Sequence, residues 1–177
     1  MTVPVIETER LRLRAYTPDD LDAYVAMWQE PAVIRHTTGV SFSRYESWRR
    51  MLLFTGGWLL MGYGTWAVEE KATGEFVGET GFFEMRREVT PSIEGTPEAG
   101  WVFATRTHGK GYATEAVGAA PGWADDNLPI PRTACLIAPE NAGSVNVARK
   151  CGYGEPEIGT FMGGDVLIMR REAPARA

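Results

Sequence analysis

The sequence predicts a mixed α/β domain built around one sheet, and three observations carry that expectation. An apolar run from Glu98 to Ala104 leads through a glycine turn, Gly109-Lys110-Gly111, into an alanine-rich segment, so a strand, a turn and a helix follow one another. Runs of strand character joined by short polar turns stand before and after that unit, as in hairpins. Two helix-start signals lie between the first alternating run and the first hairpin. A chain of 177 residues is long enough for one full core, so we expect a single domain over residues 1–177, with its core at about 8–171 and a frayed tail over 172–177.

Glu9 to Ala15 alternates, with Leu11, Leu13 and Ala15 on one face and arginines on the other, which is a half-buried strand. Thr17-Pro18-Asp19-Asp20 starts a helix with Thr17 as cap and acids at the dipole's positive end. Leu21, Tyr24, Val25 and Trp28 continue it at helical spacing, and Pro31 should close it. Ser43 to Glu46 is a capping box, and the helix it opens carries Trp48, Met51 and Leu52 until Gly56-Gly57 loosens or splits it. Between these helices Arg35, His36 and Thr37 read as a solvated loop.

Thr65 to Glu70 and Glu75 to Met85 form a hairpin across Lys71-Ala72-Thr73-Gly74. The polar stretch from Arg86 to Thr96 should be a mobile loop. Proline inside a helix costs about 3 kcal/mol, so the helix after the glycine turn is expected to kink or end at Pro121. Arg132 to Ala138 is a strand, Val145 to Cys151 a short helix stopped by Gly152, and Tyr153 to Phe161 with Asp165 to Arg171 a last hairpin.

Composition excludes several classes. With 44% hydrophobic and 23% charged residues the chain is ordinary for a globular protein, and no apolar run reaches the length of a membrane span. The N-terminus lacks the apolar segment of a signal peptide, so the cytoplasm is the expected compartment. A net charge of −5 argues against nucleic acid as partner. Cys135, Cys151, His36 and His108 have no metal-ligand spacing; no metal is expected, and the thiols read as buried and reduced.

At the glycine turn, two glycines one residue apart allow a tight corner, and the first N–H groups of the following helix point outward at its positive end. That is a site for a phosphate, or simply a turn entering a core helix with nothing bound. A P-loop would need Ser or Thr where Gly111 follows Lys110, and a dinucleotide fingerprint would need glycine at Thr114. Arg106-x-x-Gly109-x-Gly111 instead resembles the coenzyme-binding motif of the GNAT superfamily of N-acetyltransferases, and the wider string Gly-Lys-Gly-Tyr-Ala-Thr-Glu-Ala is similar to its ribosomal-protein (RimJ/RimL-like) branch. Asn141-x-x-Ser144-x-x-Val147-x-x-Lys150-x-Gly152-Tyr153 resembles that family's downstream segment, in the right order with a strand between.

The resemblance implies a central, mixed and mostly antiparallel sheet flanked by helices, whose two parallel central strands splay apart around the pantetheine arm of acetyl-CoA. It implies transfer of acetyl to a primary amine, either a protein N-terminus or a small molecule, by a monomer or homodimer. An acyl group such as succinyl, or a coenzyme-binding module without turnover, stays open. Val102, Phe103 and Ala104 would pair with the arm's amides. Arg106 and the segment His108, Gly109, Lys110, Gly111, Tyr112, Ala113 and Thr114 would hold the pyrophosphate, and Asn141 would meet the pantetheine end. The Arg35–Thr37 loop would line the acceptor side. Many family members place a tyrosine acid where Ala148 stands; Ser144 is the alternative proton donor here, or else a plain helix cap. Glu98 and Glu79 are the candidate bases, each also readable as a glutamate paired with an arginine.

Overall fold

A computed structural model describes residues 2–175. Nine strands form one sheet: β1 (Ile6–Glu7), β2 (Leu11–Arg14), β3 (Thr65–Glu70), β4 (Phe76–Phe83), β5 (Val89–Thr90), β6 (Glu98–Phe103), β7 (Arg132–Ile137), β8 (Glu157–Phe161) and β9 (Gly164–Glu172). Their order is β1-β2-β3-β4-β6-β7-β9-β8-β5, antiparallel except at β6–β7. The helices are α1 (Leu21–Met27), α2 (Pro31–Ile34), α3 (Arg44–Met61), α4 (Tyr112–Asn127) and α5 (Ala142–Lys150).

Strand alternation divides the core. Leu11, Leu13, Trp66 and Val68 point to one face, where Ala116, Ala120 and Ala124 of α4 and Ala148 of α5 cover them. Ala67, Phe76 and Ala104 belong to the other cluster, under Tyr24, Met27 and Trp28 near α1 and Met51 of α3. Trp58, Trp66 and Trp123 close the first cluster in edge contacts with centroids 4.6 to 5.4 Å apart.

Several elements depart from expectation, each for a tertiary reason. Helix α4 runs through Pro121 to Asn127 without ending. Ala120 and Ala124 are buried on either side of Pro121, and Asp125 pairs through both oxygens with Arg171 of β9, so packing outweighs the missing bond. Helix α3 is continuous across Gly56-Gly57, anchored on both sides by Met51, Phe54 and Trp58; a side chain at Gly57 would press on the Tyr63 carbonyl at 3.3 Å. Its Ser43–Glu46 capping box forms as read. Pro31 opens α2 at its first position instead of closing α1. The 86–96 segment holds β5, which pairs with Thr160 and Phe161, and it buries Val89 and Ile93; it is part of the sheet. Glu172 faces Arg132 in the β7–β9 ladder and the Ala173 N–H donates to the Pro131 carbonyl, so the expected tail starts later, and residues 176 and 177 lie outside the described residues.

Candidate active site

Strands β6 and β7 are in register at one pair only, Glu98↔Ala134, next to a bond from the Ala134 N–H to the Pro97 carbonyl. Beyond it the two strands separate while β6 stays paired with β4 through Phe103. A cavity of about 710 Å³ occupies the opening, a volume suited to a cofactor-sized ligand. The glycine corner and the start of α4 line one end, β6 and α5 the middle, and Val33, Arg35, His36 and Thr37 with Glu140 the other end.

The backbone decides which groups of β6 face the opening. The Ala104 N–H donates to Val77 of β4 at 3.0 Å. Alternation therefore turns the backbone of Val102 toward β4 and that of Trp101 and Phe103 toward β7. Val102 still lines the cavity, but the edge open to a ligand's amides is Trp101 and Phe103, and Ala104 lies outside it. The His108 ring takes the Phe103 carbonyl at 3.0 Å, which leaves the Phe103 N–H facing the opening.

At the corner Gly109 and Gly111 have φ of +74° and +80°, and a Cβ at Gly109 would meet nothing within 4 Å. Gly111 caps α4, so the amides of Tyr112, Ala113 and Thr114 have no intrahelical partner. Those of His108 and Lys110 are turned inward, onto the carbonyls of Thr105 and Thr107. The anion site thus comprises Gly109, Gly111 and the first turn of α4. Arg106 lies elsewhere: it bonds Glu75 and the Phe76 carbonyl, fastening the β3–β4 turn. Lys110 does not line the cavity either.

The GNAT acetyltransferase domain model matches residues 10–154, a span that contains both motifs and the splayed pair. The chain belongs to the GNAT family. It is an N-acetyltransferase that uses acetyl-CoA. A Bacillus subtilis protein, YkkB, is 30% identical over 152 residues, 82% of each chain. An acetyltransferase from Agrobacterium tumefaciens superposes with a TM-score of 0.82 at 25% identity, over 97% of this chain and 96% of that one. RimL, a ribosomal L7/L12 α-N-protein acetyltransferase solved with coenzyme A, shares the fold at 16% identity, with a TM-score of 0.75 over 96% of this chain and 98% of its own.

Of the three catalytic candidates in this GNAT chain, the cavity brings in one. Ser144 lines it from the first turn of α5. The cap of that helix is Asn141, whose Oδ1 accepts from the Ser144 N–H at 3.0 Å, so Ser144 is no cap and its hydroxyl is left to the cavity. With its acceptor oxygen in use, Asn141 offers a ligand its NH2 donors.

Glu79 and Glu98 are buried and absent from the lining. Glu79 accepts from the Tyr16 hydroxyl at 2.5 Å and lies 3.7 Å from the Arg50 Nε; Arg50 stacks on Trp28, Phe42 and Phe54. Glu98 is paired with Arg87 at 3.0 Å. Burial raises both carboxyl pKa values against the pull of these arginines. Both are arginine-paired charges of the sheet interior, and neither reaches the cleft.

The far end is lined by the guanidinium-bearing Arg35 and by His36 and Glu140, which lie 3.9 Å apart across it, and His36 is half-buried where a solvated loop was expected. Sequence reasoning missed Glu140, although it directly precedes Asn141. Among the described residues no group of three His, Cys, Asp or Glu is placed to hold a metal, and no helix is long and apolar enough to cross a membrane.

The cysteines are free, Cys135 buried and Cys151 half-buried against the Thr114 carbonyl. Burial pushes the Cys151 thiol up to about 11 and raises Cys135 further. Thiolate is the reactive form, so neither should be alkylated at neutral pH in the folded protein, and both should be in denaturant. Mass spectrometry after iodoacetamide checks this; rapid labelling of native Cys151 would contradict it.

Proposed function

We propose that this GNAT enzyme moves acetyl from acetyl-CoA directly to a primary amine, both substrates being held in the cleft at once. The observation that supports this most is the single cavity joining three different surfaces: the glycine-corner amides, the free edge of β6 beside Ser144, and the polar end at His36 and Glu140. Pyrophosphate suits the first, the amides of a pantetheine arm the second, and an amine the third.

An alkylamine is cationic at neutral pH and must lose a proton before it attacks. Water in contact with His36 and Glu140 relays that proton out to solvent, since Glu79 and Glu98 are shut away with their arginines. The amine nitrogen bonds to the thioester carbonyl carbon, and the carbonyl oxygen gains charge opposite the Phe103 N–H. The C–S bond then breaks, the Ser144 hydroxyl gives the departing sulfur a proton and regains one, through water, from the nitrogen that has bonded, leaving a neutral N-acetylated acceptor and free coenzyme A. The acceptor is a protein N-terminus or a small-molecule amine, met in the cytoplasm by a monomer or a homodimer.

Two measurements test this. Acetyl-CoA should raise the melting temperature. Thiol release should then appear with one class in a panel of small amines and N-terminal peptides. Protection without release on any acceptor would favour a binding module, and faster release from succinyl-CoA would reassign the acyl group.

A further inference from the structure

Outside the cavity, the β1–β2 turn grips the glycine corner. The Glu115 carboxylate, in the first turn of α4, accepts from the Thr8 hydroxyl at 2.6 Å, from the Arg10 N–H at 2.8 Å and from the Arg10 Nε at 2.7 Å. The same guanidinium donates through Nη1 to the Lys110 carbonyl at 2.8 Å and lies 4.7 Å from the centroid of the Tyr112 ring. Tyr112 is held from its far end by a bond from its hydroxyl to Glu70. Arg10 therefore touches residues on both sides of Gly111 and itself lines no part of the cavity.

We propose that Arg10 is the positioning residue of the coenzyme corner: by clamping Glu115 and the Lys110 carbonyl across Gly111, it fixes the amides of Gly109, Gly111 and the first turn of α4 that receive the pyrophosphate of acetyl-CoA. The assignment rests on reading the corner as the pyrophosphate site. Two glycines at positive φ have the widest conformational freedom in the chain, and an anion site made of backbone amides binds well only if they already converge. Between the two glycines, the Lys110 carbonyl is the acceptor to which a clamp can be fixed. Glu115 offsets the charge of Arg10, so what Arg10 contributes is geometry. Lysine keeps that charge and cannot form the two-directional fork, so it should fail as glutamine does.

The test compares acetyl-CoA with S-acetylpantetheine, which carries the thioester but no pyrophosphate. In Arg10→Gln and Arg10→Lys alike, Kd for acetyl-CoA by calorimetry should rise about tenfold. The kcat/KM for S-acetylpantetheine should stay within about twofold of wild type, a split that general destabilisation would not produce. Arg12→Gln is the control; it removes an arginine of the adjoining strand β2 paired with Glu7 and Glu69, away from the corner, and should change neither. If Arg10→Gln folds poorly, Thr8→Val, which removes one bond to Glu115, should show a smaller loss with the same split. Wild-type affinity in Arg10→Gln or in Arg10→Lys, or an equal loss on both donors, would overturn the assignment. A wild-type protein that binds acetyl-CoA no better than S-acetylpantetheine would instead overturn the corner as the pyrophosphate site, and Arg10's role with it.

Discussion

Gly111→Val should abolish the thermal protection given by acetyl-CoA, with Kd rising about 100-fold or more. Gly111 has φ +80° and ψ 4°, a left-handed conformation that a β-branched residue adopts only under strain of about 1–3 kcal/mol. Its Cβ would also stand 3.4 Å from the Arg10 guanidinium. The corner can relieve that strain by rotating the Gly111 peptide, and that rotation swings the amides at the start of α4 away from their common focus. Helix α4 should survive, because Ala116, Ala120 and Ala124 hold it on the sheet. Gly163→Val separates strain from site. Gly163 has φ +80° too, in the β8–β9 turn with nothing within 4 Å of its Cβ. That variant should lose a similar few degrees of melting temperature and keep full protection by acetyl-CoA. Protection retained in Gly111→Val would move the pyrophosphate elsewhere.

The corner was legible in the sequence because its signals are local: glycines at fixed spacing, a strand before and a helix after. Strand β3 and the Ser43 cap were legible for the same reason. What the sequence did not show was the direction and partnership of groups brought together by folding. Whether Val102 or Trp101 offers its backbone to the cleft depends on which neighbour takes Ala104, and only the β4 register decides that. Glu79 and Glu98 are readable in the sequence as bases or as arginine-paired glutamates, and only folding supplies the partners, Arg50 from α3 and Arg87 from the 86–96 segment. Arg10 reads as one of three outward arginines in a half-buried strand, and its bond to Lys110 spans a hundred residues. Pro121 and Gly56-Gly57 misled because local propensity was set against burial, and burial prevailed.

Ser144→Ala should lower kcat about 100-fold, the low end of what a positioned proton donor contributes, while KM for acetyl-CoA stays within about twofold. Of the α5 residues lining the cavity, Ser144 alone carries a hydroxyl, and that hydroxyl has no hydrogen-bond partner among the described residues. One turn further on, where many family members carry a tyrosine, Ala148 is fully buried and chemically inert. The first turn of α5 is a favourable place for a donor that becomes briefly negative, because the amide ends of the helix point there. A purely structural role predicts the reverse pattern, and Asn141→Ala supplies it. Asn141 is the cap, so its loss should cost about 1 kcal/mol of stability, seen as a lower melting temperature that Ser144→Ala does not share. Ser144→Thr keeps a hydroxyl and should recover part of the rate. If Ser144→Ala turns over at the wild-type rate, water protonates the departing sulfur, and α5 contributes to this cleft through Asn141 and its backbone amides.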